Sequence, residues 1–230
     1  MKGTSREIFL ERVRSALGHS GRSEPGEFSG DREIIRRPLP QSSDEMSARI
    51  GLFTERASEV GMSVELCGRG DIPEFLLRWI TDEKISTVLL GKDPLLGAGL
   101  AKKLRAGGIE ICKNDVGLDQ LYDEVDCGIT VADAAVVATG SLVVTSSERE
   151  LRLASLVPPR HLVLVPVSRL IDDLLDLSRD GGVLESISGS AGHLPSCVTL
   201  VTGPSKTADI EGVLVTGVHG PGTVQIVLVE

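Results

Sequence analysis

The segment Ser63–Cys112, SVELCGRGDIPEFLLRWITDEKISTVLLGKDPLLGAGLAKKLRAGGIEIC, alternates short apolar runs with helical stripes. Ser63–Cys67 reads as a strand. Asp71, Pro73 and Glu74 open a helix over Ile72–Thr81, with Phe75, Leu76, Trp79 and Ile80 on its inner face. Ser86–Leu90 is a second strand and Leu95–Ala106 a further helix, stopped by Gly107 and Gly108. Ile109–Cys112 is a third strand. Strands and helices alternating at this pitch predict βαβ units: an open, mainly parallel α/β sheet with helices on its faces.

On the N-terminal side, Met46, Ile50, Phe53, Ala57 and Val60 form a helical seam between Asp44 as cap and Gly61 as stop. Before it, Thr4–Leu17 reads as a helix with a Thr4/Glu7 capping box and a stripe of Ile8, Phe9, Val13, Ala16 and Leu17. His19–Ser43 has many Gly, Ser, Pro and charged residues, and is expected to be a mobile linker. The expected organisation is therefore residues 1–43 as helix and linker, and 44–230 as one α/β domain.

On the C-terminal side the pattern changes at Asp126. Three apolar runs follow, broken at Ala132-Asp133 and at Thr139-Gly140; the second break reads as a hairpin turn, with Gly140 free to take positive φ. Asp133, a charge inside an apolar run, is either a structural hydrogen bonder or a site residue. Leu151–Leu156 looks helical. Leu162–Val167 is a strand, and Ser168–Ser178 looks like an amphipathic helix carrying Leu170, Ile171, Leu174, Leu175 and Leu177. Gly181–Pro195 reads as a loop. Cys197–Val201 and Val224–Val229 read as buried strands.

Between those last strands lies VTGPSKTADIEGVLVTGVHGPG, Val201–Gly222, dense in polar and special-backbone residues. A strand running through Gly203-Pro204-Ser205 into a short helical start would aim N–H donors at an anion. Lys206 adds positive charge, Thr207 a hydroxyl, Asp209 an acceptor and His219 a group that titrates near neutral pH. A purely architectural use of the same turn residues is the alternative. A nucleotide P-loop is excluded, since Leu200 and Ser205 stand where it needs glycine.

Composition narrows the function classes. The chain has 230 residues and 41% hydrophobic content, enough for a substantial core. Its formal net charge of −9 and its 3% aromatic content argue against nucleic acid as a partner. Cys67, Cys112, Cys127 and Cys197 are scattered singly, without metal-ligand spacing. No apolar run is long enough to span a membrane, and no apolar leader opens the chain, so a cytoplasmic location with reduced thiols is expected.

The hairpin stretch ITVADAAVVATGSLVV, the run Leu156-Val157-Pro158-Pro159-Arg160-His161, and the Gly203–Pro221 motif resemble the LUD-domain proteins of the lactate utilization protein C (LutC/YkgG) type. The resemblance covers roughly 44–230. It implies a fold of the NagB/RpiA/CoA-transferase kind. It also implies a place beside iron–sulfur sister subunits in oxidising L-lactate to pyruvate, with the clusters in the partners and no cofactor or metal in this chain. The family's Asp is kept at Asp133, and its Thr-Gly-Thr reads as Thr139-Gly140-Ser141. Where the family has Glu, this chain has Ala138, so the carboxylate nucleophile of CoA transferases has no counterpart. Read from these residues, the expected site comprises His219 and Asp133 as catalytic groups, with Thr139, Gly140, Ser141, Gly203, Ser205, Lys206, Thr207 and Asp209 as ligand contacts. The alternative is a free-standing enzyme or binding protein for a small anionic carboxylate or phosphate. The hairpin and the C-terminal motif are expected to meet beyond the carboxyl ends of the strands.

Overall fold

The computed structural model describes residues 6–16, 45–112, 117–146, 152–178, 182–188, 195–208 and 214–230. The chain divides into two units, Met1–Ile35 and Arg36–Glu230. Within the first, α1 spans Arg6–Ala16 and has no buried residue; Ile8, Phe9 and Val13 are exposed. The expected capping box at Thr4, the linker and the Asp44 cap lie outside the described residues.

The second unit is built on a six-stranded sheet, parallel throughout. Its strands are β1 (Ser63–Cys67), β2 (Thr87–Leu90), β3 (Glu110–Cys112), β4 (Cys127–Val131), β7 (Arg160–Pro166) and β12 (Thr223–Val229). Their order is β1-β12-β7-β4-β2-β3. The centre is buried on both faces and apolar apart from Thr130 and Gln225: every residue of β4 is buried, as are Leu162–Val165 and Val224–Val229. Such near-continuous apolar runs are what a parallel sheet covered on both sides requires.

One face is covered by α3 (Ile72–Asp82) and α4 (Ala98–Ala106), whose Leu76, Ile80 and Leu104 pack on Val88, Ile129, Leu162 and Val227. The opposite face is covered by α2 (Glu45–Glu59), through Phe53 and Ala57, and by a second sheet. α5 (Leu118–Glu124) packs Leu121 on Leu89 at the same face. The second sheet contains β5 (Ala134–Val136), β6 (Ser141–Thr145), β8 (Leu170–Ile171) and β9 (Val198–Val201), in the order β8-β5-β6-β9. Its outer side packs with Leu177 and with Val183 of α6 (Val183–Ser188).

Several local expectations are corrected. The stripe at Ser168–Ser178 is not one helix: Leu170–Ile171 pairs with β5, between two short 3-10 turns. Leu151–Leu156 holds a 3-10 turn at Arg152–Ser155. The loop expected at Gly181–Pro195 contains α6. β9 is not a buried core strand but an edge, with Val198 and Leu200 exposed. Among the described residues, no helix starts after Gly203-Pro204-Ser205. Lys206–Ala208 is instead β10, which pairs antiparallel with β11 (Leu214–Thr216).

Candidate functional site

Because the six strands run one way, their carboxyl ends gather on one edge, and a crevice opens there. β1 leads into Gly68-Arg69-Gly70 ahead of α3. β2 leads into Gly91-Lys92-Asp93, a 3-10 turn at Pro94–Leu96, and α4. β7 leads into the turn Val167–Arg169, and β12 runs to Glu230. The Glu230 N–H donates to the Cys67 carbonyl and the Arg69 N–H to the Glu230 carbonyl, extending the ladder to the rim. A cavity of about 490 Å³ is bounded by Arg69, Asp93, Leu95, Ser168, Arg169 and Glu230. A neighbouring one of about 290 Å³ shares Arg69, Pro94 and Leu95 and reaches the start of α4 at Gly97–Leu100.

The polar groups of this crevice are held in place. The Asp93 carboxylate accepts the Leu95 N–H through Oδ1 at 2.9 Å, which caps the 3-10 turn. Arg169 Nη1 donates to the Ala132 carbonyl at 2.7 Å, and Nη2 lies 3.8 Å from Asp93 Oδ2. A guanidinium fixed this way keeps further donors for a carboxylate or phosphate. Arg69 is exposed at the junction of the two cavities.

The residues expected to form one site do not gather here. The C-terminal motif lies at the amino ends of β1, β7 and β12. The Gly222 N–H donates to the Pro159 carbonyl, just before β7. The Ser205 N–H donates to the Pro221 carbonyl and the Gly217 N–H to the Ser205 carbonyl, zipping the two Gly-Pro loops together. Lys206, exposed, donates from Nζ to the Val60 carbonyl at 3.2 Å, past the end of α2. Thr207 pairs with Val215 in the β10–β11 hairpin, and His219 is exposed. Asp209 lies outside the described residues.

The hairpin tip does join this motif. Thr139 Oγ1 and Ser141 Oγ are 2.8 Å apart, and Ser141 Oγ is 2.7 Å from Thr202 Oγ1. Gly140 (φ +66) and Gly203 (φ +96) both press on α2 and the residues after it. A Cβ at Gly140 would overlap the Ala57 nitrogen, and one at Gly203 would meet the Val60 carbonyl oxygen at 2.6 Å. Asp133 sits at the hairpin's other end, where its Oδ2 accepts from the N–H and Oγ1 of Thr145, each at 2.8 Å. The expected meeting is thus corrected: Thr139–Ser141 and Thr202–Ser205 come together, at the amino edge, and Asp133 stands apart.

Sequence reasoning passed over Arg69, Asp93 and Arg169. The available signal was positional, since each directly follows a parallel strand, where ligand crevices of open α/β sheets lie. His161 of the Pro-Pro-Arg-His run belongs to the core. Fully buried, its Nε2 lies 2.9 Å from Thr130 Oγ1, and burial lowers its pKa to about 3. The four cysteines are free, Cys67, Cys112 and Cys127 on three different strands and Cys197 just before β9, and no group of metal-ligating side chains occurs among the described residues. No described helix is long and apolar enough to cross a membrane.

The LUD domain model matches residues 50–229, which is the sheet and both of its covering layers. The chain belongs to the LUD domain family. Relatives within it match almost end to end. Lactate utilization protein C of Halalkalibacterium halodurans is 28% identical, over 98% of this chain and 97% of that one. The protein of the same name from an Exiguobacterium species is 28% identical over 99% and 96%. YkgG of Escherichia coli K12 is 26% identical over 98% of each. Among solved structures, a DUF162 family protein of Deinococcus radiodurans superposes with a TM-score of 0.58. It is 18% identical, and the match covers 83% of this chain and all of that one. At that identity the likeness speaks for the fold. The LUD domain thus carries two polar loci on opposite edges of one sheet: the Arg69–Asp93–Arg169 crevice and the hydroxyl-lined tip at Thr139–Thr202.

Proposed function

We propose that this chain is a component of an L-lactate oxidation system, acting with iron–sulfur sister subunits that convert lactate to pyruvate. The observation that carries the proposal is the end-to-end match to proteins named lactate utilization protein C. The scattered cysteines suit a division of labour in which the clusters reside in the partners. Within that role, the crevice suits a small carboxylate. Arg169 would hold the carboxylate, with Asp93 as acceptor for a neighbouring hydroxyl. We carry Lys206 and His219 as contacts for a partner subunit, because both are exposed on the β10–β11 hairpin and the loop after it, with Leu214, Val215 and Val218.

We also place the fold in the NagB/RpiA/CoA-transferase group. No covalent carboxylate chemistry follows from that placement, since position 138 holds alanine and its N–H donates to the Asp172 carbonyl. A second reading, favoured by the crevice itself, is that the chain binds an anionic ligand without partners.

Three experiments separate these readings. A strain lacking this chain should fail to grow on L-lactate and recover when the chain is restored. The tagged protein should co-purify with iron-containing partners. Normal growth of the deleted strain would overturn the first reading. Saturable binding of a carboxylate by the isolated chain, together with normal growth of the deleted strain, supports the second.

A further inference from the structure

The outer strands of the two larger sheets are protected unequally. β1 carries Glu65, and β3 is three residues long and begins with Glu110. β8 is only two residues long, set between Arg169 and Asp172. Short length and charge are the ordinary defences of a sheet edge against pairing with another chain. β9 has neither. From Ser196 to Thr202 the sequence SCVTLVT holds no charged residue and no proline, in a chain of formal net charge −9. β9 is the last strand of its sheet, and no described strand lies beyond it.

The ladder to β6 fixes which groups of β9 face outward. The Ser146 N–H donates to the Cys197 carbonyl, and the antiparallel register continues as Val144↔Thr199 and Leu142↔Val201. Hydrogen bonding alternates along such a strand. Cys197, Thr199 and Val201 therefore turn their backbone groups toward β6, while Val198 and Leu200 turn theirs to the free edge. The same two residues carry the exposed side chains, at 38% and 47%. Leu200 stands opposite Val143, on the face that Leu177 and Val183 cover further in. The apolar layer thus runs past its cover, beside a row of open N–H and C=O groups.

We propose that β9 pairs antiparallel with β9 of a second copy of this chain, about a two-fold axis at Thr199. Only a two-fold at this residue matches the outward groups to themselves: Val198 of each copy faces Leu200 of the other. Each of these two pairs exchanges two N–H···O bonds. The two four-stranded sheets then join as one of eight, and Val198 and Leu200 form apolar cross-strand pairs over the junction. A second copy suits this edge because an isologous contact sets each patch against itself. A charged strand would meet its own charge there, whereas this uncharged one meets no repulsion.

The test is sedimentation velocity of the full chain at micromolar concentrations and physiological salt. The wild type should sediment as a dimer. Leu200→Lys sets a lysine against the apolar Val198 of the other copy, and should weaken dimerisation at least tenfold without moving the thermal transition of the dilute monomer. Should that variant fail to fold, Val198→Lys makes the same measurement. Thr199→Cys reads the register. Residues at the two-fold form a non-hydrogen-bonded pair with Cα atoms about 4.5 Å apart, within disulfide range. Mild oxidation should therefore give a covalent dimer of Thr199→Cys and not of the wild type, whose Cys197 would face Val201. A monomeric wild type would overturn the proposal. So would a dimer that the folded lysine variant leaves intact, because the contact would then lie elsewhere. A dimer that Thr199→Cys does not crosslink would overturn the two-fold at Thr199.

Discussion

At the scale of single residues, His161 shows how a group that looks chemical in sequence becomes architectural. It lies on β7 against Thr130 of β4, with no exposed surface. Burial disfavours the imidazolium and holds the pKa at about 3, against an ordinary 6.5. Between those values the unfolded chain takes up a proton that the folded chain refuses. The neutral ring's contribution to stability is therefore complete above about pH 6.5 and is lost as pH falls toward 3, with a slope approaching about 1.4 kcal/mol per pH unit. Urea unfolding at pH 7 and pH 5 should show the wild type losing more stability than His161→Gln over that interval. Equal losses would mean that His161 is not the group responsible. Lys206 and His219 are the contrasting case. Both are exposed, so Lys206→Ala and His219→Gln should each change stability by less than about 1 kcal/mol. The double variant should nonetheless impair growth on L-lactate at normal protein level and leave ligand binding by the isolated chain untouched. Full growth would reduce the amino edge to turn chemistry.

At the scale of elements, the hairpin tip is fixed by contacts that only glycine allows. Gly140 combines φ +66 with a backbone approach to α2 that a Cβ would violate. Gly140→Ala should therefore cost on the order of 1–3 kcal/mol or more, through strain and displacement of α2. Ser141→Ala, which breaks the chain to Thr139 and Thr202, should cost about 1 kcal/mol. A Gly140→Ala protein as stable as wild type would mean that the tip relaxes freely away from Ala57. The turn at Gly140 was legible in the sequence, as were α2, α3 and the strands β1, β2, β4 and β12, because their periodicity and flanking stops agree. Other elements were not. Leu170, Ile171, Leu174, Leu175 and Leu177 have helical spacing, yet Leu170–Ile171 gains more by pairing with β5 than a helix would supply. Lys206–Ala208 follows a Gly-Pro-Ser run that suits a helix start as well as a turn. Pairing with Leu214–Thr216, beyond the reach of local propensity, selects the strand. The crevice was missed for a related reason. Arg69, Asp93 and Arg169 are 24 and 76 residues apart along the chain, and only the parallel order of the strands brings them to one edge.

At the scale of the whole molecule, stability resides in the unit from Arg36 to Glu230. Both covered faces of the sheet lie within it, and its core clusters draw on α2 and every element after it that packs there. The family match begins at residue 50, close to the start of α2 at Glu45. α1, in the other unit, has no buried residue. Deleting residues 1–43 should therefore leave a single cooperative thermal transition, with the midpoint shifted by no more than a few degrees, which corresponds to roughly 1 kcal/mol for a domain of this size. The same truncated protein should retain ligand binding at the carboxyl-edge crevice, since Arg69, Asp93 and Arg169 all lie on the retained sheet. If it nonetheless fails to restore growth on L-lactate, the N-terminal segment serves assembly with partners, the use for which an exposed stripe of Ile8, Phe9 and Val13 is suited. An insoluble or molten truncated chain would instead show that α1 belongs to the folding unit and that the domain boundary lies before residue 44.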